Sequence, residues 1–285
     1  MLWFIYKSKM VGAIKAAYWG QGAAGTILAD VCGRYDYVFL SFLPDFGMGQ
    51  DVTANSAINI AGHNLGQTAS DISTCQGQGK KIILSIGGGV GNYEFSSSDD
   101  AQRRATFLAV TALDIWNAYL GGSGTNRPFG SFQLDGVDLD VEMATGAEFY
   151  ADFVDKLKGL YTGKTYYLTA VPQCPFPDNN LGPKAGTALG DAASSFDFVS
   201  IQFYNNPSCG GSNTVSGYGA WNTWAQSNNV KLLPTFPASS ADAGSGYQDA
   251  SAVAAELNQL SGDSTYGGWN LFTAEDDNGF SSQLP

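Results

Sequence analysis

Residues Leu134–Glu142 read LDGVDLDVE. On an extended chain, side chains alternate between faces, so Asp138, Asp140 and Glu142 share one face and Val137, Leu139 and Val141 the other. Neighbouring acids then lie about 6.6–7 Å apart along the strand. Burying such a row is costly unless its charges are hydrogen-bonded or shared, so at least one proton is expected to stay within it. An acid whose pKa is raised this way can protonate a leaving group. Acids make up 26 of 285 residues. At that frequency four of them fall at these positions by chance in about two chains per hundred. A solvated acidic face on an antiparallel edge strand is the plainer alternative, and the parallel pattern around this segment argues against it.

The elements that must carry the row alternate between β-branched or aromatic runs and segments of helical period. Strands are expected at Ile14–Tyr18, Tyr37–Phe42, Lys81–Ile86, Gly136–Glu142, Tyr166–Val171, Phe198–Tyr204, Lys231–Thr235 and Gly268–Leu271. Helices are expected at Ala24–Cys32, Ser70–Gly77, Asp99–Tyr119, Ala147–Leu160, Thr187–Ser194, Ser216–Asn228 and Ala250–Leu260. Eight strands alternating with helices predict a single α/β domain, a closed (β/α)8 TIM barrel, with the aliphatic face of the acidic strand packed outward and the acids pointing inward. An open doubly wound sheet is the runner-up. Its glycine-rich turn is matched loosely by Gly20-Gln21-Gly22-Ala23-Ala24-Gly25, but no acid closes the second strand. Glu142 comes last in the row, nearest the barrel mouth, where barrel enzymes place their chemistry. Two-carboxylate glycosidases hold their acids ~5–9.5 Å apart across the scissile bond. Asp140 lies beside Glu142 rather than across from it, and no other strand end offers a second acid, so the geometry points to a nucleophile supplied by the substrate.

Composition narrows the partners. Fourteen basic against 26 acidic residues give a net charge of −12, which disfavours nucleic acid and anionic membrane surfaces. No apolar run is long enough to span a bilayer. Residues 1–12 are read as a leader remnant, a cloning scar or a misplaced start, and 13–285 as the catalytic domain. Cys32, Cys75, Cys174 and Cys209 form no C-x-x-C pair, and the single histidine, His63, cannot complete a usual zinc site. No metal and no cofactor are expected. Spacing leaves two disulfides or four buried thiols open.

The chain resembles glycoside hydrolase family 18, and within it the plant class III chitinases of the hevamine type. The resemblance runs from about Ala17 to Leu284 and rests on DGVDLDVE together with Ser85-Ile86-Gly87-Gly88. It extends through YWGQ at Tyr18–Gln21, NIAGH at Asn59–His63, TAVPQCPFPD at Thr169–Asp178, IQFYNN at Ile201–Asn206 and AGSGY at Ala243–Tyr247. It implies that Glu142 is the proton donor and that Asp140 orients the acetamide whose carbonyl attacks the anomeric carbon. Tyr204 would hydrogen-bond that carbonyl, and Asp138 would share a proton with Asp140. Gln21, Asn59, Gly89, Gln202, Asn205 and Phe272 correspond to sugar-contacting positions. The implied activity is retaining, substrate-assisted, endo-acting hydrolysis of chitin or N-acetylglucosamine oligomers, with peptidoglycan as a further substrate. The implied pairs are Cys32–Cys75 and Cys174–Cys209, on a monomer of the extracellular space or vacuole, although no signal segment is evident.

Two departures stand out. Phe272 occupies the place of the family's platform tryptophan, because Trp269 lies three residues earlier and faces the other way on a regular strand. The chain is also about seven residues longer at Phe107–Ile115, roughly two helical turns, for which a gene-model error competes with a longer helix. His63 is expected to be a hydrogen-bonded structural residue, and Trp116, Trp221 and Trp224 to pack helices on the barrel. The altered platform keeps a silent carbohydrate-binding lectin or glycosidase inhibitor as an alternative function. An endoglycosidase cutting the chitobiose core of N-glycans is a third.

Overall fold

The computed structural model describes residues 12–22, 25–47, 49–95, 101–143 and 145–285. All but the last residue of the expected leader, and the first residues of the expected helices at 24 and 99, lie outside these. The strands in chain order are β1 (Ile14–Trp19), β2 (Tyr37–Leu43), β3 (Asp45–Phe46), β4 (Lys81–Gly88) and β5 (Asn92–Tyr93). They continue with β6 (Gly136–Val141), β7 (Tyr167–Ala170), β8 (Phe198–Gln202), β9 (Lys231–Pro237) and β10 (Gly268–Phe272). Among the described residues, eight of them close a barrel in the order β1-β2-β4-β6-β7-β8-β9-β10, all parallel. The eight correspond to the expected strands. β3 and β5 form a separate two-stranded sheet that the sequence pattern does not announce.

The helices are α1 (Leu28–Val31), α2 (Leu65–Gly77), α3 (Ala101–Tyr119), α4 (Tyr150–Leu160), α5 (Ala188–Asp191), α6 (Thr214–Asn228) and α7 (Ala250–Leu260). In α4 the buried Tyr150, Phe153, Val154 and Leu157 follow the i, i+3, i+4, i+7 spacing of a one-sided helix. Asn64 starts α2 five residues earlier than expected by accepting the Gln67 amide. α1 is shorter than expected because Gly25 takes a positive φ of 142° and Ile27 is still extended. The lengthened segment Phe107–Ile115 lies inside α3. Trp116, Trp221 and Trp224 are buried in the layer between helices and barrel. There Trp221 donates to the Cys174 carbonyl at 2.9 Å.

Two apolar layers result. The outer one lies between strands and helices; the inner one is a small plug of Ile14, Ala16, Tyr18, Phe39, Ile83, Val171, Phe198 and Leu233 inside the barrel. Disulfides join Cys32 to Cys75 and Cys174 to Cys209. Each contributes about 2–4 kcal/mol in the chain-entropy view. The second ties the segment after β7 to the one after β8.

Candidate active site

β6 is buried along its whole length; Val137, Leu139 and Val141 join the outer layer while Asp138 meets Tyr18 of the inner plug, so its acids face the lumen. Register sets Asp138 level with Ser85 on β4 and Thr169 on β7. Asp138 Oδ2 accepts hydroxyls from Tyr18 and Ser85, each at 2.8 Å, and Oδ1 accepts Thr169 at 2.6 Å. Burial pushes this carboxyl upward in pKa while the three hydroxyls pull it down. Its oxygens are therefore engaged with hydroxyls. Asp140 instead turns to Gln202, whose Nε2 lies 3.0 Å from Oδ1, and to Glu142.

Asp140 sits opposite Gly87, where an added Cβ would come within 2.0 Å of the Asp140 carbonyl oxygen. Only glycine fits, and its φ of 112° suits that residue alone. Burial, then the charges of Glu142, Asp138 and Asp178, push Asp140 well above the usual carboxylate range. Glu142 is half-buried just past the strand end. Burial raises its pKa as well, while Gln173 and Gln202 pull it back. The two carboxyls are hydrogen-bonded to each other and burial raises both, so the pair holds a proton between them. Besides Asp138, with which the resemblance implies a shared proton, Asp140 is thus in contact with Glu142.

Several supporting groups were not singled out from sequence. Gln173 Nε2 reaches Glu142 Oε2 at 3.1 Å. Tyr93, on the unexpected strand β5, accepts the Glu142 amide at 2.9 Å and donates to the Gly88 carbonyl at 2.7 Å. Asp178 closes the loop after β7 by accepting the Asn180 and Leu181 amides at 2.9 and 2.6 Å. Tyr18, Ser85 and Thr169 lie within motifs already quoted, yet their convergence on Asp138 depends on barrel closure.

Tyr204 is buried beside the acids; burial, Asp140 and Glu142 push its pKa well up, so the phenol stays neutral and able to donate. Its ring stacks with Phe272 at 6.3 Å. Phe272 also meets Tyr18 at 5.8 Å and Phe42 at 6.4 Å, giving an aromatic floor. Trp269 is fully buried on the opposite face of β10, its Nε1 donating to the Pro285 carbonyl at 2.9 Å. The β1–β10 register runs unbroken from Gly268 to Leu271 and the β9–β10 register from Asn270 to Phe272, so no bulge returns Trp269 to the lumen.

The remaining rim positions divide. Gln21 and Asn59 adjoin: Gln21 Nε2 donates to the Asn59 carbonyl at 3.0 Å. Gly89 is exposed next to Glu142, with room for an added Cβ at 3.7 Å from Oε2. Asn205 is exposed, with φ 57°, and pairs with Ser245. Gln202 is buried and holds Asp140, so it lies beneath the mouth. His63 also differs from expectation, since its buried Nε2 has no hydrogen-bond partner among the described residues.

A second carboxyl pair bridges the loops after β9 and β10. Asp242 accepts the Ser239 amide at 2.8 Å and hydrogen-bonds Asp276. Burial and the Asp276 charge push Asp242 up to about 7.

The sequence profile of Glycosyl hydrolases family 18 matches residues 14–256. The acidic endochitinase SE2 of Beta vulgaris is 42% identical over 277 residues, covering 94% of this chain and 88% of its own length. The ICChI chitinase of Ipomoea carnea superposes with TM-score 0.79 at 32% identity, covering 95% of this chain and 98% of its own. The xylanase and alpha-amylase inhibitor protein XAIP-II of Scadoxus multiflorus gives TM-score 0.80 at 34% identity over 96% and 98%.

Proposed function

The chain belongs to Glycosyl hydrolases family 18, and from that premise we propose that it is an endo-acting chitinase working by a retaining, substrate-assisted mechanism. The observation that carries the reading is the Asp140–Glu142 carboxyl pair, both members raised in pKa, with the neutral Tyr204 phenol beside it. Glu142, at the mouth, delivers the pair's proton to the glycosidic oxygen as the bond to the anomeric carbon breaks. Asp140 holds the acetamide N–H, and Tyr204 donates to the acetamide carbonyl. The carbonyl oxygen then bonds to the anomeric carbon and gives an oxazolinium ion. Water opens that ring, its proton passing to Glu142, and the β configuration returns. Asp138, locked by three hydroxyls, keeps Asp140 in line. Phe272 floors the sugar site; Gln21, Asn59, Gly89 and Asn205 supply rim contacts, with Gln202 beneath them.

The substrate is chitin or its oligomers, an assignment supported by the endochitinase and chitinase relatives. Two disulfides support an oxidising compartment, and we read residues 13–285 as a monomeric catalytic domain of the extracellular space or vacuole. Glu142→Gln is expected to lower hydrolysis of a chitin hexamer by about a thousandfold or more with unchanged thermal melting. Undiminished turnover would refute the assignment. A silent carbohydrate-binding lectin or glycosidase inhibitor is the second reading, supported by the likeness to XAIP-II. Binding of the hexamer by the unmutated chain without turnover would favour the lectin, and inhibition of an added glycosidase without hexamer turnover the inhibitor.

A further inference from the structure

Glu275 lies three residues beyond β10, its side chain wholly enclosed. One oxygen, Oε1, accepts two backbone amides of the segment after β1: Gly20 at 2.6 Å and Gly22 at 3.3 Å. The residue between them is Gln21. Its Nε2 is spent on three carbonyls, those of Gly20, Ser41 and Asn59, at 2.8, 2.8 and 3.0 Å. Among the described residues that leaves Gln21 Oε1 as the side-chain atom without a partner, able to meet a sugar hydroxyl or amide.

The segment's shape depends on what holds it. Gly20 has φ 112°, and a Cβ there would meet the Ser41 carbonyl at 2.7 Å. A Cβ on Gly22 would meet Glu275 Cβ, Asp276 Oδ2 and Thr273 Oγ1 at 2.6 Å. Two glycines permit the close approach and also leave the backbone free on either side of Gln21 unless something fixes it. The enclosure of Glu275 includes His63, whose Nε2 is 3.8 Å from Oε1 and whose ring lies 4.4 Å from that of Trp19. Among the described residues, neither His63 Nε2 nor Glu275 Oε2 finds a hydrogen-bond partner. A buried acid left half-satisfied calls for a reason to be there, and the two amides it holds supply one.

We propose that Glu275 is a positioning residue that holds the Gly20–Gly22 backbone and thereby aims Gln21 at the substrate. This rests on the reading of Gln21 as a sugar contact. The device needs an acceptor oxygen, not a charge, so glutamine in its place serves equally.

The test is a double-mutant cycle on the full chain with a chitin hexamer as substrate. Glu275→Ala is expected to raise KM by about tenfold with kcat within about twofold, the pattern of lost uniform binding. Added to Gln21→Ala, it should raise KM no further, because both changes remove one contact. Glu275→Gln should keep the wild-type KM and the slow hydrogen exchange of the Gly20 and Gly22 amides. A full KM increase from Glu275→Ala on top of Gln21→Ala would overturn the proposal. So would a Glu275→Gln protein with raised KM or fast exchange, a result that remains readable if the alanine variant does not fold. If the unmutated chain leaves the hexamer intact, hydrolysis fails as the reading; the cycle is then read in the hexamer's Kd, where the same outcomes decide the clamp.

Discussion

β6 and β10 stand opposite each other, four strands apart either way around the barrel, and they build the mouth by different means. On β6 the working groups sit on the strand itself or one residue past it, and ladder register fixes their partners: Ser85 and Thr169 meet Asp138 because β4 and β7 are level with it. Beyond β10 the acids Glu275 and Asp276 lie on the connecting loop. They depend on contacts from the segments after β1 and β9. A strand-borne site is therefore costly to disturb, whereas a loop-borne one shapes affinity.

That contrast can be broken by substitution. The largest stability effect belongs on β6: Asp138→Ala leaves three buried hydroxyls without their acceptor and should cost about 3 kcal/mol or more, about 6–12 °C in Tm at this size. A scanning-calorimetry shift below a few degrees would show the hydroxyls re-pairing and the strand wall less costly to disturb than argued. Phe272→Trp at the end of β10 should act on binding instead. A larger ring over the sugar should lower KM for the hexamer by about three- to tenfold with Tm little changed; a raised KM would mean that Tyr18, Phe42 and Tyr204 already fill the space.

The smallest effect is a pH dependence. Asp242 is raised to about 7 in the folded chain, above an unfolded value near 3.9. The folded state then binds the extra proton between those values, so this group's contribution falls as pH rises from about 4 to 7. Asp242→Asn removes that loss. Because Asp242 is half-exposed, solvent screening cuts the full linkage effect severalfold. The variant's Tm advantage over the unmutated chain should therefore grow by about a degree or two from pH 5 to pH 8; an advantage that shrinks over this range reverses the sign.

The same contrast explains what could be read in the sequence. Alternation alone separates Asp138, Asp140 and Glu142 from Val137, Leu139 and Val141, and puts Trp269 on the far side of β10 from Phe272. The barrel follows from eight strands alternating with helices. Tyr93 was not legible, because β3 and β5 are two residues each and pair across nearly fifty residues of chain. Glu275 and Asp242 carry no periodic signal; their partners are loops that barrel closure brings together. Nor does spacing reveal that Asp140 turns to Glu142 once hydroxyls from three strands engage Asp138.

The central claim is that the substrate's acetamide is the nucleophile and Glu142 the acid. Proton NMR of a chitin hexamer in the first minutes of reaction, before the anomers equilibrate, tests it most directly. Internal cleavage with new reducing ends in the β form, absent with Glu142→Gln, is the predicted result. New ends appearing first as the α anomer, or undiminished in the Glu142→Gln protein, would contradict it.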